Sequence, residues 1–240
     1  MSQDLHRDIF ESPDYWCGKL GYRPAPDGIG YRDFPIHHIK VEYILSKQPR
    51  GRLLDVGCAF GYIVRRLRNK GIDALGIDIS HYALSRAPED VKPHLKHGSA
   101  DNLPWPDQYF DMVVTFGTLE HLDSEILPKA ISEIKRVAKR GIIAITPGDA
   151  PNFGEDITHQ TKQPLSWWRA QFPPEFEVHS DDNEKWMICL KCGSLMIGAS
   201  VYTPNRLIYG GIKEYRDDGS LKEWWVCINP SCEDGERNRL

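Results

Sequence analysis

The chain is 240 residues long, 40% hydrophobic and 27% charged, which suits one large α/β domain or one domain with a small appendage. Its formal net charge of −4 and pI near 6.1 argue against a basic, nucleic-acid-coating surface, while leaving a local basic patch open. No apolar run approaches the roughly 20 residues that span a bilayer, and the start MSQDLHRDIF lacks the basic-then-apolar order of a secretory signal; the expectation is a cytoplasmic protein with reduced cysteines.

Residues 1 to about 35 are rich in Pro, Gly, Asp and aromatics, with little periodicity; they read as a surface arm or as a lid over a pocket. A short helix is expected after Pro35, with Ile36, Ile39, Tyr43 and Ile44 on one face, broken by Pro49, Arg50 and Gly51. The chain then alternates. Arg52 to Val56 reads as a buried strand, and Tyr62 to Lys70 as a helix with Ile63, Val64 and Leu67 inward and Gly71 as its stop. Ala74 to Ile79 is a second strand, Ser80 to Ala87 a short helix, His94 to His97 a weak third strand and Phe110 to Phe116 a fourth. Ser124 to Arg140 carries apolar residues at a period near 3.6, and Ile142 to Thr146 is a fifth strand.

Alternating strands and helices imply a parallel sheet with helices on both faces, whose ligands sit outside the carboxyl ends of the strands. After about residue 180 the rhythm changes to short β-like runs with Gly and Asp-Gly turns and two cysteine pairs. The expected domains are 1–50 (arm or lid, and helix), 51–180 (cofactor-binding α/β domain) and 181–240 (small β module).

The segment LLDVGCAFGY places Gly57 and Gly61 around a sharp strand-to-helix turn, where glycine allows positive φ and close approach of a ligand. Such a turn can serve NAD or another nucleotide, and it lacks the full G-x-G-x-x-G spacing. Asp55 precedes the turn. Asp78 ends the second strand 21 residues after Gly57, where a carboxylate can accept hydrogen bonds from ribose hydroxyls. Asp101 lies just before the fourth strand, within reach of an adenine amine.

Taken in order, LLDVGCAFG, GIDIS, GSADNLPW, FDMVVTFGTLEHL and RVAKRGIIAITPG resemble the successive motifs of class I S-adenosylmethionine (SAM)-dependent methyltransferases, in the style of the type 11/type 12 group. The match runs from about Arg52 to Gly148. It implies a Rossmann-like fold, SAM as cofactor and methyl transfer as the activity, and leaves the acceptor open. On this resemblance Asp55, Gly57 and Gly61, with the backbone of Cys58 and Ala59, shape the pocket for the methionine part. Asp78 holds the ribose, Ile79, Ala100 and Asp101 contact adenine, and Phe116 and Gly117 line the cofactor. Ala59 stands where the family often has Gly, from which slight crowding is expected.

Methyl transfer asks mainly for orientation, with a base where the attacking atom is a weak nucleophile. His121 in TLEHL and His159 in EDITHQTKQPLSWW are the candidate catalytic groups, His121 alternatively a framework residue and His159 alternatively a surface histidine. Trp167 and Trp168 either line an apolar acceptor pocket or pack in the core.

Cys189 and Cys192 form a C-x₂-C pair and Cys227 and Cys232 a C-x₄-C pair, with 34 residues between the pairs. Four thiolates so grouped suit one structural, tetrahedral zinc ion in a zinc-ribbon-like module, a staple that a small module with few aliphatic residues needs. From residue 181 onward eight Lys/Arg face ten Asp/Glu, the wrong balance for phosphate binding.

Three functions follow. The first is a methyltransferase acting on a small molecule such as a sugar, a lipid-linked intermediate or a secondary metabolite. The second is an RNA, DNA or protein methyltransferase that docks its substrate through the zinc module. The third is a non-catalytic module that binds SAM or a partner.

Overall fold

The computed structural model describes residues 8–19, 30–150 and 156–181 with their side chains (Pro35 by its backbone alone), and beyond them the backbone of five short strands. The chain divides into two compact units, Met1–Phe34 with Pro49–Asp181, and Pro35–Gln48 with Asp182–Leu240.

In the first unit β1 (Leu53–Val56), β2 (Ala74–Asp78), β3 (Leu95–His97), β4 (Met112–Phe116), β5 (Gly141–Ile145) and β6 (Phe176–Ser180) form one sheet. Its order is β3-β2-β1-β4-β5-β6 and every pairing is parallel. Strands in the middle of a covered parallel sheet are buried on both faces, so they read as near-continuous apolar runs. Accordingly Leu53, Leu54, Val113, Val114, Ile143 and Ile145 are wholly buried. The sequence order reverses between β1 and β4, and a doubly wound sheet opens its ligand crevice at that reversal, beyond the carboxyl ends of the strands.

The helix Tyr62–Asn69 buries Ile63, Val64 and Leu67, and it packs on β2. The helix Leu127–Val137 buries Leu127, Ala130, Ile131, Ile134 and Val137, and these residues join Leu54, Val113, Ile143 and Trp168 in the main core. This helix is shorter than the span 124–140 suggested by its apolar rhythm. Before it, Asp123 Oδ1 accepts from the N–H groups of Glu125 and Ile126, at 2.9 Å each. After it, Ala138 is extended (φ −131°, ψ 150°) and bridges to Phe110 in parallel register. The helix His81–Ser85 likewise occupies only the middle of the expected span 80–87.

Strand β6 was not expected. Phe176 and Val178 are buried while Glu177 and His179 are half-buried, an alternation that suits a strand at the edge of the sheet. The helix Leu165–Ala170 precedes it. Trp168 is fully buried there, and Trp167 packs partly buried against the same cluster, so Trp168 is core and Trp167 lies at its margin.

In the second unit the helix Pro35–Ser46 buries His37, Lys40, Val41 and Ile44. The expected face of Ile36, Ile39, Tyr43 and Ile44 is therefore rotated. Apolar residues lie on several sides of this helix, and periodicity alone does not choose among them. The other elements of the unit are β7 (Met187–Ile188), β8 (Leu195–Ile197), β9 (Ile212–Tyr215), β10 (Leu221–Trp224) and β11 (Val226–Cys227). β9 and β10 pair antiparallel, and β8 lies between β7 and β11, antiparallel to both. Of the expected zinc ligands, Cys189, Cys192 and Cys232 lie outside the described residues, and Cys227 is described by its backbone alone. Among the described residues no helix is long and apolar enough to cross a membrane.

Candidate cofactor and acceptor site

The turn after β1 is held from two sides. The N–H groups of Gly57 and Cys58 both donate to the Ile77 carbonyl, at 2.8 and 3.1 Å, which ties the turn to the end of β2. Gly57 has φ +77°, and a Cβ added to it would stand 2.1 Å from Thr118 Oγ1. Glycine is thus required here by a hydroxyl that arrives from the end of β4, and that hydroxyl donates to the Val56 carbonyl at 3.3 Å. Gly61, at φ +72°, opens the helix Tyr62–Asn69.

Ala59 also adopts a left-handed backbone, φ +49°. This conformation carries a cost of its own, separate from the slight crowding expected at this position, because a Cβ in the left-handed region meets its own carbonyl. Cys58 is buried, and burial pushes its thiol well above the ordinary range. Its backbone N–H, bonded to Ile77, is the part that shapes the turn.

Asp78, at the carboxyl end of β2, is 8% exposed. Its Oδ2 accepts from the Ala59 N–H at 2.7 Å and its Oδ1 from the Ser80 N–H at 2.9 Å. Burial raises its pKa, opposed by those two donors. Each carboxylate oxygen keeps a second lone pair after these bonds, so the residue braces the turn and retains acceptor capacity for ribose hydroxyls. Asp55 is buried within β1. Asp55, Gly57, Cys58, Ala59, Gly61, Asp78, Phe116 and Gly117 therefore meet at the carboxyl ends of β1, β2 and β4, around the reversal of strand order.

Of the adenine-side candidates, Ile79 follows β2 directly, and Ala100 and Asp101 follow β3. Ile79 offers its carbonyl to His97 Nε2 at 2.9 Å, the Ser99 hydroxyl donates to Asp101 Oδ1, and Ala100 packs against the main core. Arg136 secures the segment that follows Asp101 by donating to the Leu103 and Trp105 carbonyls at 3.0 and 2.8 Å. Glu133 pairs with Arg136 and accepts from the Leu103 N–H at 2.8 Å.

The N-terminal arm packs against this site. Tyr15 and Trp16 are buried in one cluster with Ala59, Phe60 and Ala83. The Glu11 carboxylate accepts from the N–H groups of His81 and Tyr82, both at 2.8 Å, and so caps the helix that follows Asp78. The Ser80 hydroxyl donates to the Phe10 carbonyl at 2.6 Å, while the Phe10 ring meets His121 edge-on with centroids 5.6 Å apart.

Beyond β4, residues 118–121 turn sharply and residues 156–161 fold back on them. The Glu120 carbonyl accepts from the N–H groups of Gln160 and Thr161, at 2.8 and 3.0 Å, which brings His159 beside His121 with ring centroids 4.8 Å apart. Thr158 Oγ1 lies 2.8 Å from His121 Nδ1 and 2.5 Å from Asp156 Oδ1. The single hydroxyl proton goes to the carboxylate, so His121 Nδ1 donates to Thr158 and Nε2 carries the lone pair. Glu120 is fully buried. Its Oε1 accepts from the Thr146 N–H at 2.7 Å, and its Oε2 is buried with no hydrogen-bond partner among the described residues. Burial lifts its pKa to about 8, with the Asp181 charge adding to the rise.

Sequence reasoning named His121 and His159 separately and missed Glu120, Asp156, Thr158 and Glu11. The one signal available for Glu120 was its place next to His121 in TLEHL; the others depend on contacts between distant segments.

Residues 54–145 match a family model described as a methyltransferase domain. This segment is similar to methyltransferase domains. The chain is 28% identical over 147 residues to 24-methylenesterol C-methyltransferase 2 of Oryza sativa subsp. japonica, covering 58% of this chain and 39% of that one. It is 34% identical over 131 residues to tRNA (carboxymethyluridine(34)-5-O)-methyltransferase of Arabidopsis thaliana, covering 53% of this chain and 31% of that one. The chain thus spans less than half the length of either relative. The crystal structure of a SAM-dependent methyltransferase from Archaeoglobus fulgidus has a TM-score of 0.50 at 22% identity, covering 62% of this chain and 68% of that one, and shares the fold. Family and fold together support SAM as the cofactor.

Proposed function

We propose that the protein binds SAM and transfers its methyl group to a small molecule such as a sugar, a lipid-linked intermediate or a secondary metabolite. The observation that carries the cofactor half is the Asp78 carboxylate, buried beside the Gly57–Gly61 turn with acceptor capacity left over. In this reading Asp78 takes the ribose hydroxyls, the turn with Asp55 takes the methionine part, Ile79, Ala100 and Asp101 take the adenine, and Phe116 and Gly117 line the approach. When bound, SAM supplies an electrophilic methyl group on a sulfonium. The protein's own share is to hold the acceptor in line with that methyl and to keep water out, a positioning effect worth about 7–11 kcal/mol in favourable systems.

The acceptor half rests on Glu120, His121 and His159, which face one another beyond β4. The packed aromatic arm and the acidic balance of the chain favour a small acceptor over a polyphosphate. The two relatives act, by their names, on a sterol and on tRNA. The second of these, with the cysteine pairs, favours a further reading in which a macromolecule docks through the C-terminal module.

We further propose that Cys189, Cys192, Cys227 and Cys232 hold a structural zinc ion, in a protein that works in the reducing cytoplasm. Backbone topology supports this. β7 and β11 are both antiparallel to β8 and therefore run the same way. β7 ends at Ile188 and β11 at Cys227, so these two strands end on the same side of the three-stranded sheet. Elemental analysis reading one zinc per chain supports the site, and a metal-free protein ends it.

Incubation with methyl-labelled SAM and three acceptor pools tests the acceptor class. Label in the pool of small hydroxylated and carboxylated molecules supports the proposal. Label in total RNA or in protein instead overturns it in favour of the docking reading.

A further inference from the structure

We propose that Glu120, His121 and His159 form a binding site for a divalent transition-metal cation on the acceptor side of the site. One ligand atom from each residue lies within 4.8 Å of the other two. Ligands at about 2.1 Å from a shared ion stand about 3.0–3.4 Å apart, so small side-chain rotations close the set. Two imidazole nitrogens and one carboxylate oxygen suit zinc, manganese, iron or cobalt rather than an all-oxygen site for calcium or magnesium.

Three independent features of the geometry point to a cation. The Glu120 carboxylate is fully buried, held at Oε1 by the Thr146 N–H, while Oε2 has no hydrogen-bond partner among the described residues. A buried acceptor left so carries a desolvation cost unless a ligand meets it. Next, His121 has the surroundings typical of a metal-bound imidazole: Nδ1 is fixed by Thr158, which is fixed in turn by Asp156, and the lone pair sits on Nε2. Finally, the loop that carries His159 is tied to Glu120 itself, through the Gln160 and Thr161 N–H groups on the Glu120 carbonyl.

Three protein ligands leave coordination positions open, and an open position is what a catalytic ion needs. This part of the inference rests on the methyltransferase reading: the open positions take an oxygen of the acceptor, a hydroxyl or a carboxylate. For a hydroxyl, coordination favours release of its proton to solvent and leaves an oxyanion facing the methyl donor. The acceptor class is thereby narrowed to molecules that present an oxygen nucleophile.

The test is binding of Mn²⁺ to the full chain, followed by electron paramagnetic resonance and calorimetry, with S-adenosylhomocysteine titrated in parallel. Manganese is chosen because it prefers nitrogen and oxygen donors over the cysteine thiolates. One ion per chain is expected, with at least tenfold weaker binding in His159→Ala and in Glu120→Gln. The supporting residue variant Asp156→Asn should weaken binding by about tenfold or more while leaving the first-contact ligands in place. Thermal melting of each variant shows whether it is folded. Absence of bound Mn²⁺ in wild type, or equal binding by folded His159→Ala, overturns the proposal. Mn²⁺ binding without S-adenosylhomocysteine binding keeps the metal site and sinks the methyltransferase reading; the converse sinks the metal site alone.

Discussion

Asp78→Ala tests whether one carboxylate both braces the cofactor turn and binds the cofactor. Two backbone N–H groups, those of Ala59 and Ser80, lose acceptors at 2.7 and 2.9 Å. Leaving a buried donor unsatisfied costs about 1–3 kcal/mol each. The substitution also removes a buried charge whose desolvation is shown by its raised pKa, which offsets part of that loss. A net destabilisation of about 2 kcal/mol is expected, or a fall in Tm of about 4–8 °C for a chain of this size. Affinity for S-adenosylhomocysteine should fall further than stability does, by about 100-fold or more, because charge-assisted bonds to ribose hydroxyls contribute roughly 1.5–3 kcal/mol apiece. Calorimetric binding and thermal melting on the same preparations separate the two effects. Unchanged Tm would refute the bracing role, and unchanged affinity in a folded variant would refute the ribose role.

Gly57→Ala should lower stability by about 2–4 kcal/mol, since its Cβ would overlap Thr118 at φ +77°; Gly57→Ala/Thr118→Gly should recover part of that loss in denaturant melts, and no recovery would mean the clash is not the cause. Ala59→Gly relieves a left-handed alanine and should be neutral or stabilising by up to about 1 kcal/mol, whereas Ala130→Gly, inside a helix, should cost about 1 kcal/mol or more. Hydrogen bonds from Arg136 hold the Glu133 carboxyl below its ordinary value. A carboxyl depressed in the folded state contributes stability that is present above its ordinary pKa of about 4.5 and is lost as pH falls through the lowered value. Glu133→Gln should therefore flatten the stability profile in that acidic window; a parallel profile for variant and wild type would contradict it.

The central strands were legible because burial on both faces leaves them uniformly apolar, as in Ile142–Ile145. The cofactor turn was legible because Gly57 and Gly61 sit where the chain must reverse into a helix. Edge strand β6 escaped because Glu177 and His179 break its apolar run. The face of the helix Pro35–Ser46 was misread because its apolar residues do not mark a single stripe. On the acceptor side the residue types were visible, but their grouping was not. His121 and His159 come together through bonds between the Glu120 carbonyl and the 160–161 backbone, and no local pattern announces such a contact. The arm's role was hidden for the same reason, since Glu11 caps a helix 70 residues away.

In the proposed function, the crevice between β1, β2 and β4 takes SAM rather than another nucleotide. Calorimetric titration of the full chain with S-adenosylhomocysteine, and separately with NAD, tests it most directly. Saturable one-site binding of S-adenosylhomocysteine with no heat from NAD is the predicted result. Binding of NAD in preference, or no binding of S-adenosylhomocysteine by the folded protein, would contradict it.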